Sequence, residues 1–149
     1  MKIKITVLLL ALCSVSITTL HAQVKRKQTP RSGAVSATSV ARGKIVYTSV
    51  CLPCHMADGG GVPNMNPPLV KTSYVLGDKT TLIKIVLNGF NEDVEINGQR
   101  YSNSMSSHDD LKDQQIADVL TYVRNSFGNK ASAVKMAEVA KVRATLKKS

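Results

Sequence analysis

The five residues CLPCH, at positions 51–55, decide the fold of this chain. They hold two of the three cysteines and one of the three histidines in a sequence of 149 residues. Thiol and imidazole side chains bind metals and carry out redox chemistry, so their spacing here indicates a metal site or a redox site. The sequence on either side of the motif distinguishes between these interpretations.

Zinc and thioredoxin-type redox chemistry are both disfavoured by the surrounding sequence. A structural zinc site takes four ligands, and after residue 22 the chain has no cysteine outside the motif and only His108 as a further histidine. A thioredoxin-type dithiol lies in a βαβ pattern, whereas here a helical pattern precedes the motif and the Gly-rich DGGG follows it. A structural disulfide between Cys51 and Cys54 would close a very small ring and constrain little chain entropy.

The pattern C-x-x-C-H is typical of covalent haem attachment. Cys51 and Cys54 can each add a thiol to one vinyl group of the porphyrin, which forms two thioethers. The imidazole of His55 can then reach the iron as the proximal ligand. We therefore predict one haem c, bound through Cys51 and Cys54. The low aromatic content, 4% with no Trp, fits a core whose bulk comes partly from a porphyrin.

The second axial ligand has to come from a methionine or a histidine elsewhere in the chain. The candidates are Met56, Met65, Met105, Met136 and His108. Met56 adjoins His55 and cannot cross to the other face, while Met65 precedes NPPL, which we expect on the proximal side. Met105 interrupts the polar stretch SNSMSSH, in a loop that could cover the distal face. Met105 is therefore the predicted ligand, with His108 or an open position as alternatives.

A helix is predicted immediately before the motif, from Thr38 or Ser39 as N-cap to about Val50. One face of it carries Val40, Gly43, Val46 and Tyr47. Glycine inside a helix costs roughly 1 kcal/mol against alanine. Gly43 therefore indicates that another backbone passes close to this helix.

The middle of the chain is predicted to be mostly loop. DGGG and NPPL disrupt regular structure, so residues 56–77 are predicted as a loop. A short helix begins after the N-cap Asp78 and ends at Gly89. VEINGQRY, residues 94–101, predicts a small hairpin, because Asn-Gly at positions 97–98 favours a two-residue turn.

Two helices are predicted for the remainder, which makes the chain all-α with about four to five short helices. The first begins at Asp113 and ends at Gly128, and the second is basic and amphipathic over about 132–147. The first carries a continuous apolar stripe: Ile116, Val119, Leu120, Val123 and Phe127. The second has an apolar face without aromatics, so we expect it on the domain surface rather than in a membrane. Its apolar residues are Met136, Val139, Ala140 and Leu146.

Residues 1–22 have the composition of a secretory signal peptide. Two lysines precede an apolar run, and Ala22 provides a small residue at the predicted cleavage point. We expect export to the periplasm or beyond the membrane. A retained membrane anchor is an alternative, although the run is short for a span. Lipidation of Cys13 is another, although Leu12 is bulky where lipoprotein signals prefer a small residue.

The net charge of +10 is concentrated in the flanks of the chain. Residues 23–37, a predicted flexible linker, carry +4, and the tail 130–149 carries +5. The predicted haem domain, residues 38–129, carries −1. Nucleic-acid binding needs a basic face on the folded part, so no nucleic-acid partner is expected. The basic flanks are solubilising segments or could dock on a membrane surface.

Residues 38–129 resemble a class I cytochrome c domain. They are similar to the small cytochrome c domains associated with periplasmic quinoprotein dehydrogenases, of the pyrroloquinoline quinone type. The matching stretches are CLPCHMADGGGVPNMNPPL, LGDKTTLIKIVLNGF, INGQRYSNSM and LTYVRNSFGN. The resemblance implies the cytochrome c fold, with short helices wrapped around one covalently bound haem and the small hairpin near 94–101.

The resemblance also assigns roles to residues outside the motif. It implies that the carbonyl of Pro67 accepts a hydrogen bond from the proximal imidazole, and that Leu69 packs on the haem. It makes Tyr47 and Tyr122 partners where the first and last helices of the domain cross.

Two positions depart from the family pattern. Ser106 replaces the usual proline after the distal methionine, which predicts a looser loop, and Lys112 replaces a Ser or Thr helix cap, for which Asp113 could compensate.

The function implied is electron transfer rather than enzymatic catalysis. The expected partners are a donor dehydrogenase and an acceptor oxidase or cytochrome, with ligation by His55 and Met105 filling both axial positions. The alternative is a haem enzyme or gas sensor with an open sixth position, for which His108 is the candidate acid–base residue.

Overall fold

The computed structural model describes residues 35–146, which form a small helical domain that includes a two-stranded hairpin. The elements are α1 (Ala37–Val46), a π-helical turn (Tyr47–Cys51), α2 (Leu52–His55), α3 (Ser73–Leu76), α4 (Lys79–Asn88), β1 (Val94–Ile96), β2 (Gln99–Tyr101), α5 (Asp113–Val123) and α6 (Met136–Leu146). The predicted all-α class is confirmed. The predicted signal peptide, Cys13 and nearly all of the 23–37 linker lie outside the described residues. Within residues 35–146, no helix is both long and apolar enough to cross a membrane.

The helix before the motif is longer than predicted and continues through the motif itself. It begins at Ala37, with Ser36 in an extended conformation before it, and the helical backbone runs on to His55. The predicted helix ended near Val50, directly before the motif. Pro53 is the second residue of α2 and follows the π-helical turn, so the helical backbone continues past this proline. The motif therefore forms the last turn of a helix, and the predicted loop begins directly after it at residue 56.

The middle of the chain contains one helix that was not predicted. The loop prediction for residues 56–77 is wrong at its end, where Thr72 accepts a hydrogen bond from the Val75 amide at 3.2 Å and begins α3. The N-cap Asp78 and the stop at Gly89 are as predicted for α4. The hairpin also forms as predicted, and the two residues of its turn, Asn97 and Gly98, both have positive φ.

The predicted apolar stripe of α5 is correct except at its end. The helix ends at Val123, and Phe127 takes a left-handed φ of 56° beyond it. At its start, the Lys112 amide donates to the side chain of Gln115 at 3.0 Å. Asp113, in the first turn of the helix, accepts from Arg143 at 2.7 Å.

The last helix, α6, packs on the domain surface and is shorter than predicted. Val139 and Val142 are buried under it, while Met136 is half exposed. Lys79, at the start of α4, pairs with Glu138 of α6 at 2.9 Å. The helix is therefore anchored on the domain formed by the preceding residues.

The core centres on the crossing of α1 and α5. A Cβ added to Gly43 would lie 2.0 Å from the backbone oxygen of Asp118 and 2.7 Å from Cβ of Tyr122. The close approach that Gly43 indicated in the sequence is present. The rings of Tyr47 and Tyr122 pack beside it, with centroids 5.3 Å apart.

Gly43→Ala is expected to lower the free energy of unfolding by about 2 kcal/mol or more. Alanine gains roughly 1 kcal/mol of helix propensity, but it has to displace backbone, which typically costs more than that. Urea denaturation measures the difference. Gly60→Ala is the matched control, because its nearest neighbour is the flexible Asp58 carboxylate at 3.1 Å. Equal stability of the two variants would contradict the close crossing.

Asp118 joins the two crossing helices through its buried carboxylate. It accepts from the hydroxyl of Ser39, from Arg42 at 2.6 and 2.9 Å, and from Gln114 at 3.0 Å. Burial alone would raise the pKa of Asp118, but these hydrogen bonds outweigh it and hold the pKa below its usual value. The charged form is therefore favoured in the folded protein.

The stability contributed by Asp118 is expected to depend on pH. A carboxyl group whose pKa is lower in the folded state than in the unfolded state adds to the free energy of unfolding. This contribution is complete above the unfolded-state pKa of about 3.9, and it is lost as pH falls through the folded-state pKa. Asp118→Asn should therefore cost about 1–2 kcal/mol at pH 7 and progressively less below about pH 4. Urea denaturation from pH 7 to pH 3 measures this. Asp93→Asn, which breaks an exposed pair with Arg100, should have little effect. A pH-independent cost for Asp118→Asn would contradict the account.

Candidate functional site

A mainly apolar cavity of about 240 Å³ lies beside the end of α2. Its walls come from the motif, the loop that follows it, helices α3, α4 and α5, the hairpin and the loop before α5. All six residues predicted to hold the cofactor line this cavity: Cys51, Cys54, His55, Pro67, Leu69 and Met105. The fold thus brings together one helix end and two loops that are distant in sequence.

The imidazole of His55 is buried and oriented by the loop after the motif. Its Nδ1 lies 3.0 Å from the carbonyl oxygen of Pro67. A carbonyl can only accept, so Nδ1 carries the proton and Nε2 keeps its lone pair. Burial lowers the pKa of His55, His108 lowers it further, and the bond to Pro67 opposes them in part. The neutral imidazole, the form that ligates a metal, is therefore favoured.

The two motif thiols differ in their surroundings. Cys51 packs against the hydrophobic core, and burial, with a smaller effect of Cys54, raises the pKa of its thiol to about 11. Cys54 is exposed at the mouth of the cavity. Both are free rather than joined in a disulfide. Among residues 35–146, no three His, Cys, Asp or Glu side chains are arranged to hold a metal ion together.

Met105 lies in a loop that hydrogen bonds fix on both sides. Its amide donates to the carbonyl of Phe90 at 2.8 Å, and its carbonyl accepts from the Phe90 amide at 2.9 Å. Two residues on, the Ser107 hydroxyl donates to the carbonyl of Leu87 at 2.6 Å. Ser106 stands where a proline would restrict the backbone, and these bonds restrain the same segment without one.

Of the other four candidates for the second axial ligand, only His108 lines the cavity. Met56, Met65 and Met136 are 37%, 50% and 51% exposed, and none of them lines the cavity. The backbone amide of His108 donates to the carbonyl of Val86 at 2.9 Å, which holds this residue against α4.

Several residues of the site could not be identified from the sequence. The hairpin contributes the buried side chains of Ile96 and Tyr101 to the cavity wall. Asn129, also buried, accepts from the Lys71 amide at 2.8 Å and donates to the carbonyl of Leu69 at 2.9 Å. It therefore fixes the loop that presents Leu69 to the cavity. In the sequence, Asn129 follows Gly128, and this pair indicates only the end of a helix.

The residues around the cavity fit a covalently attached haem. Two free thiols at the required spacing lie at one side, and an imidazole with an available Nε2 lies in the same wall. The thioether of Met105 offers a second soft ligand in that cavity. Apolar side chains such as Leu69 and Val123 suit the faces of a porphyrin.

Comparison with known proteins agrees with a site for covalently attached haem. The family model for cytochrome c matches residues 40–127. Cytochrome c-552 of Thermus thermophilus is 35% identical over 97 residues, which cover 62% of this chain and 65% of that protein. The cytochrome c subunit of a quinone alcohol dehydrogenase from Gluconacetobacter polyoxogenes is 36% identical over 118 residues, covering 72% of this chain.

The site and these matches define a haem protein, and the chain belongs to the cytochrome c family. Its cofactor is haem c, attached covalently at the C-x-x-C-H motif. The cytochrome c subunit of gluconate 2-dehydrogenase from Pantoea cypripedii is also similar, at 35% identity over 94 residues. The matched part spans 24% and 21% of the two dehydrogenase subunits, so the similarity concerns one part of each.

Proposed function

We propose that the protein is an exported mono-haem electron carrier whose iron is held by His55 and Met105. The observation that carries the proposal is the shared cavity, which both side chains line together with the two motif thiols. Haem supplies one-electron redox chemistry, and ligation by His and Met raises its potential. The protein's own part is to bind, orient and enclose the haem.

The polypeptide is suited to transfer electrons without binding a substrate. The Pro67 carbonyl fixes the tautomer of His55 through a bond of 3.0 Å, and such a bond strengthens a histidine ligand. The loop bearing Met105 is held by its two bonds to Phe90. A preorganised pair of ligands limits rearrangement when the charge of the site changes. The exposed side chain of Cys54 marks the edge at which electrons pass to a partner.

The redox partners are proposed to be a donor dehydrogenase and an acceptor oxidase or another cytochrome. Support for the donor comes from relatives that are named as cytochrome c subunits of alcohol and gluconate dehydrogenases. Such carriers dock weakly over small interfaces. The basic linker and tail, with +4 and +5 charges, are proposed to dock on an acidic protein or a membrane surface.

Carbon monoxide binding to the reduced protein tests this function. Because both axial positions are proposed to be filled, the reduced protein should bind carbon monoxide slowly or not at all. Rapid binding would indicate an open position and would favour a haem enzyme or gas sensor. One structural observation favours that alternative: His108, the candidate acid–base residue of a haem enzyme, lines the same cavity.

A further inference from the structure

Tyr47 is a buried side chain to which axial ligation assigns no role. It is 1% exposed, and its hydroxyl donates to the carbonyl oxygen of Met56 at 2.6 Å. Burial and nearby acidic groups raise the pKa of Tyr47, so the hydroxyl keeps its proton and remains a donor. The carbonyl that it binds belongs to the residue directly after His55. The contact thus joins the helix crossing to the proximal side of the site.

The π-helical turn makes this contact possible. Tyr47 and His55 are eight positions apart, and in a regular α-helix, at about 100° per residue, they would differ by about 80°. The Leu52 amide instead donates to the carbonyl of Tyr47, five positions back, so the turn contains one extra residue. The spacing then corresponds to about two regular turns. Tyr47 and His55 therefore lie close to one face of the helix.

The backbone after His55 reverses sharply and is held by few bonds. Met56 has a φ of 63°, which is uncommon for a residue other than glycine. The Met56 carbonyl accepts from the Gly59 amide at 3.2 Å, and the His55 carbonyl accepts from the Gly61 amide at 3.2 Å. The bond from Tyr47, at 2.6 Å, is shorter than either and comes from outside the segment.

The ring of Tyr47 is fixed by the other end of the domain. Its centroid lies 5.3 Å from the ring of Tyr122 and 5.3 Å from the ring of Phe127. Phe127 in turn lies against the loop after the motif, because a Cβ added to Gly59 would be 2.6 Å from its ring. The hydroxyl of Tyr47 therefore has little freedom to move away from Met56.

We propose that Tyr47 is a positioning residue for the proximal ligand. Its hydroxyl holds the peptide that follows His55 and so sets the orientation of that imidazole toward the haem iron. The inference rests on the proposed function, because it takes His55 as an axial ligand. Pro67 fixes the ring of His55 from one side, and Tyr47 fixes the backbone that carries it.

Tyr47→Phe tests the proposal, because it removes the hydroxyl and keeps the ring contacts. Tyr122→Phe is the matched control: it makes the same change in the same ring cluster, and within residues 35–146 the Tyr122 hydroxyl forms no hydrogen bond. Two properties of the exported holoprotein are measured. One is the pattern of paramagnetically shifted haem methyl resonances in the ferric state, which reports the orientation of axial ligands. The other is hydrogen exchange at the Gly59 and Gly61 amides.

Tyr47→Phe should alter the methyl pattern and speed exchange at both amides by about 5- to 30-fold, whereas Tyr122→Phe should leave both unchanged. A His-ligated protein in which Tyr47→Phe matches the wild type would overturn the role of Tyr47. So would equal changes in the two variants, because they would indicate general loosening of the ring cluster. A wild-type protein without the shifts of an axial imidazole would overturn the proposed function itself.

Discussion

Replacing both motif cysteines, Cys51→Ala with Cys54→Ala, should leave the exported chain without covalent haem and largely unfolded. The cavity beside the motif has a volume of about 240 Å³ and apolar walls. At about 24 cal/mol per Å³, an emptied cavity of this size costs about 6 kcal/mol. That is comparable to the whole stability of a small domain, about 5–15 kcal/mol. The haem is thus expected to be part of the core rather than an addition to a finished fold.

Haem staining after denaturing electrophoresis and far-ultraviolet circular dichroism measure the two parts of this prediction. Pro53→Ala is the control, because it changes an exposed residue inside the motif and keeps both thiols. It should retain haem and helix content. A double cysteine variant with a native-like helical spectrum and no haem would show that the polypeptide folds by itself.

Met105→Ala should open the sixth position of the iron. The reduced variant should bind carbon monoxide rapidly, and the reduction potential should fall, because a thioether ligand favours the ferrous state. A decrease on the order of 0.2 V is expected, a fraction of the roughly 0.8 V range that axial ligands span. Redox titration and the carbon monoxide spectrum measure the two effects.

Met65→Ala is the control for this variant, because Met65 is half exposed and lies outside the cavity wall. It should leave the potential unchanged. If Met105→Ala keeps the wild-type potential while His108→Ala changes it, the second ligand is His108. The axial assignment proposed for Met105 would then be wrong.

The site could be predicted from the sequence where a short motif fixes local chemistry. The C-x-x-C-H spacing specifies the attachment residues and the imidazole without knowledge of the fold. Gly43 predicted a close helix crossing because glycine inside a helix needs a reason, and the backbone oxygen of Asp118 provides it. The Asn97-Gly98 turn was predictable for a different reason, since both residues of such a turn need positive φ, which Asn and Gly adopt more readily than other residues.

The parts that could not be predicted are contacts between distant residues and short local elements that no apolar pattern marks. The π-helical turn at Tyr47–Cys51 follows no pattern of apolar positions. Buried Arg124 donates to the carbonyls of Val75 and Ser132, yet in the sequence it resembles an ordinary exposed residue at a helix end. Helix α3 was assigned to a loop, because it is a single turn and prolines precede it.

One absorption spectrum of the exported protein, oxidised and then reduced, tests the central claim most directly. The account predicts covalently bound haem that is low-spin and six-coordinate in both states, with a sulfur-to-iron charge-transfer band when oxidised. This band requires the thioether of Met105 or another methionine on the iron. A high-spin spectrum, or a low-spin spectrum without that band, would contradict a carrier ligated by His55 and Met105.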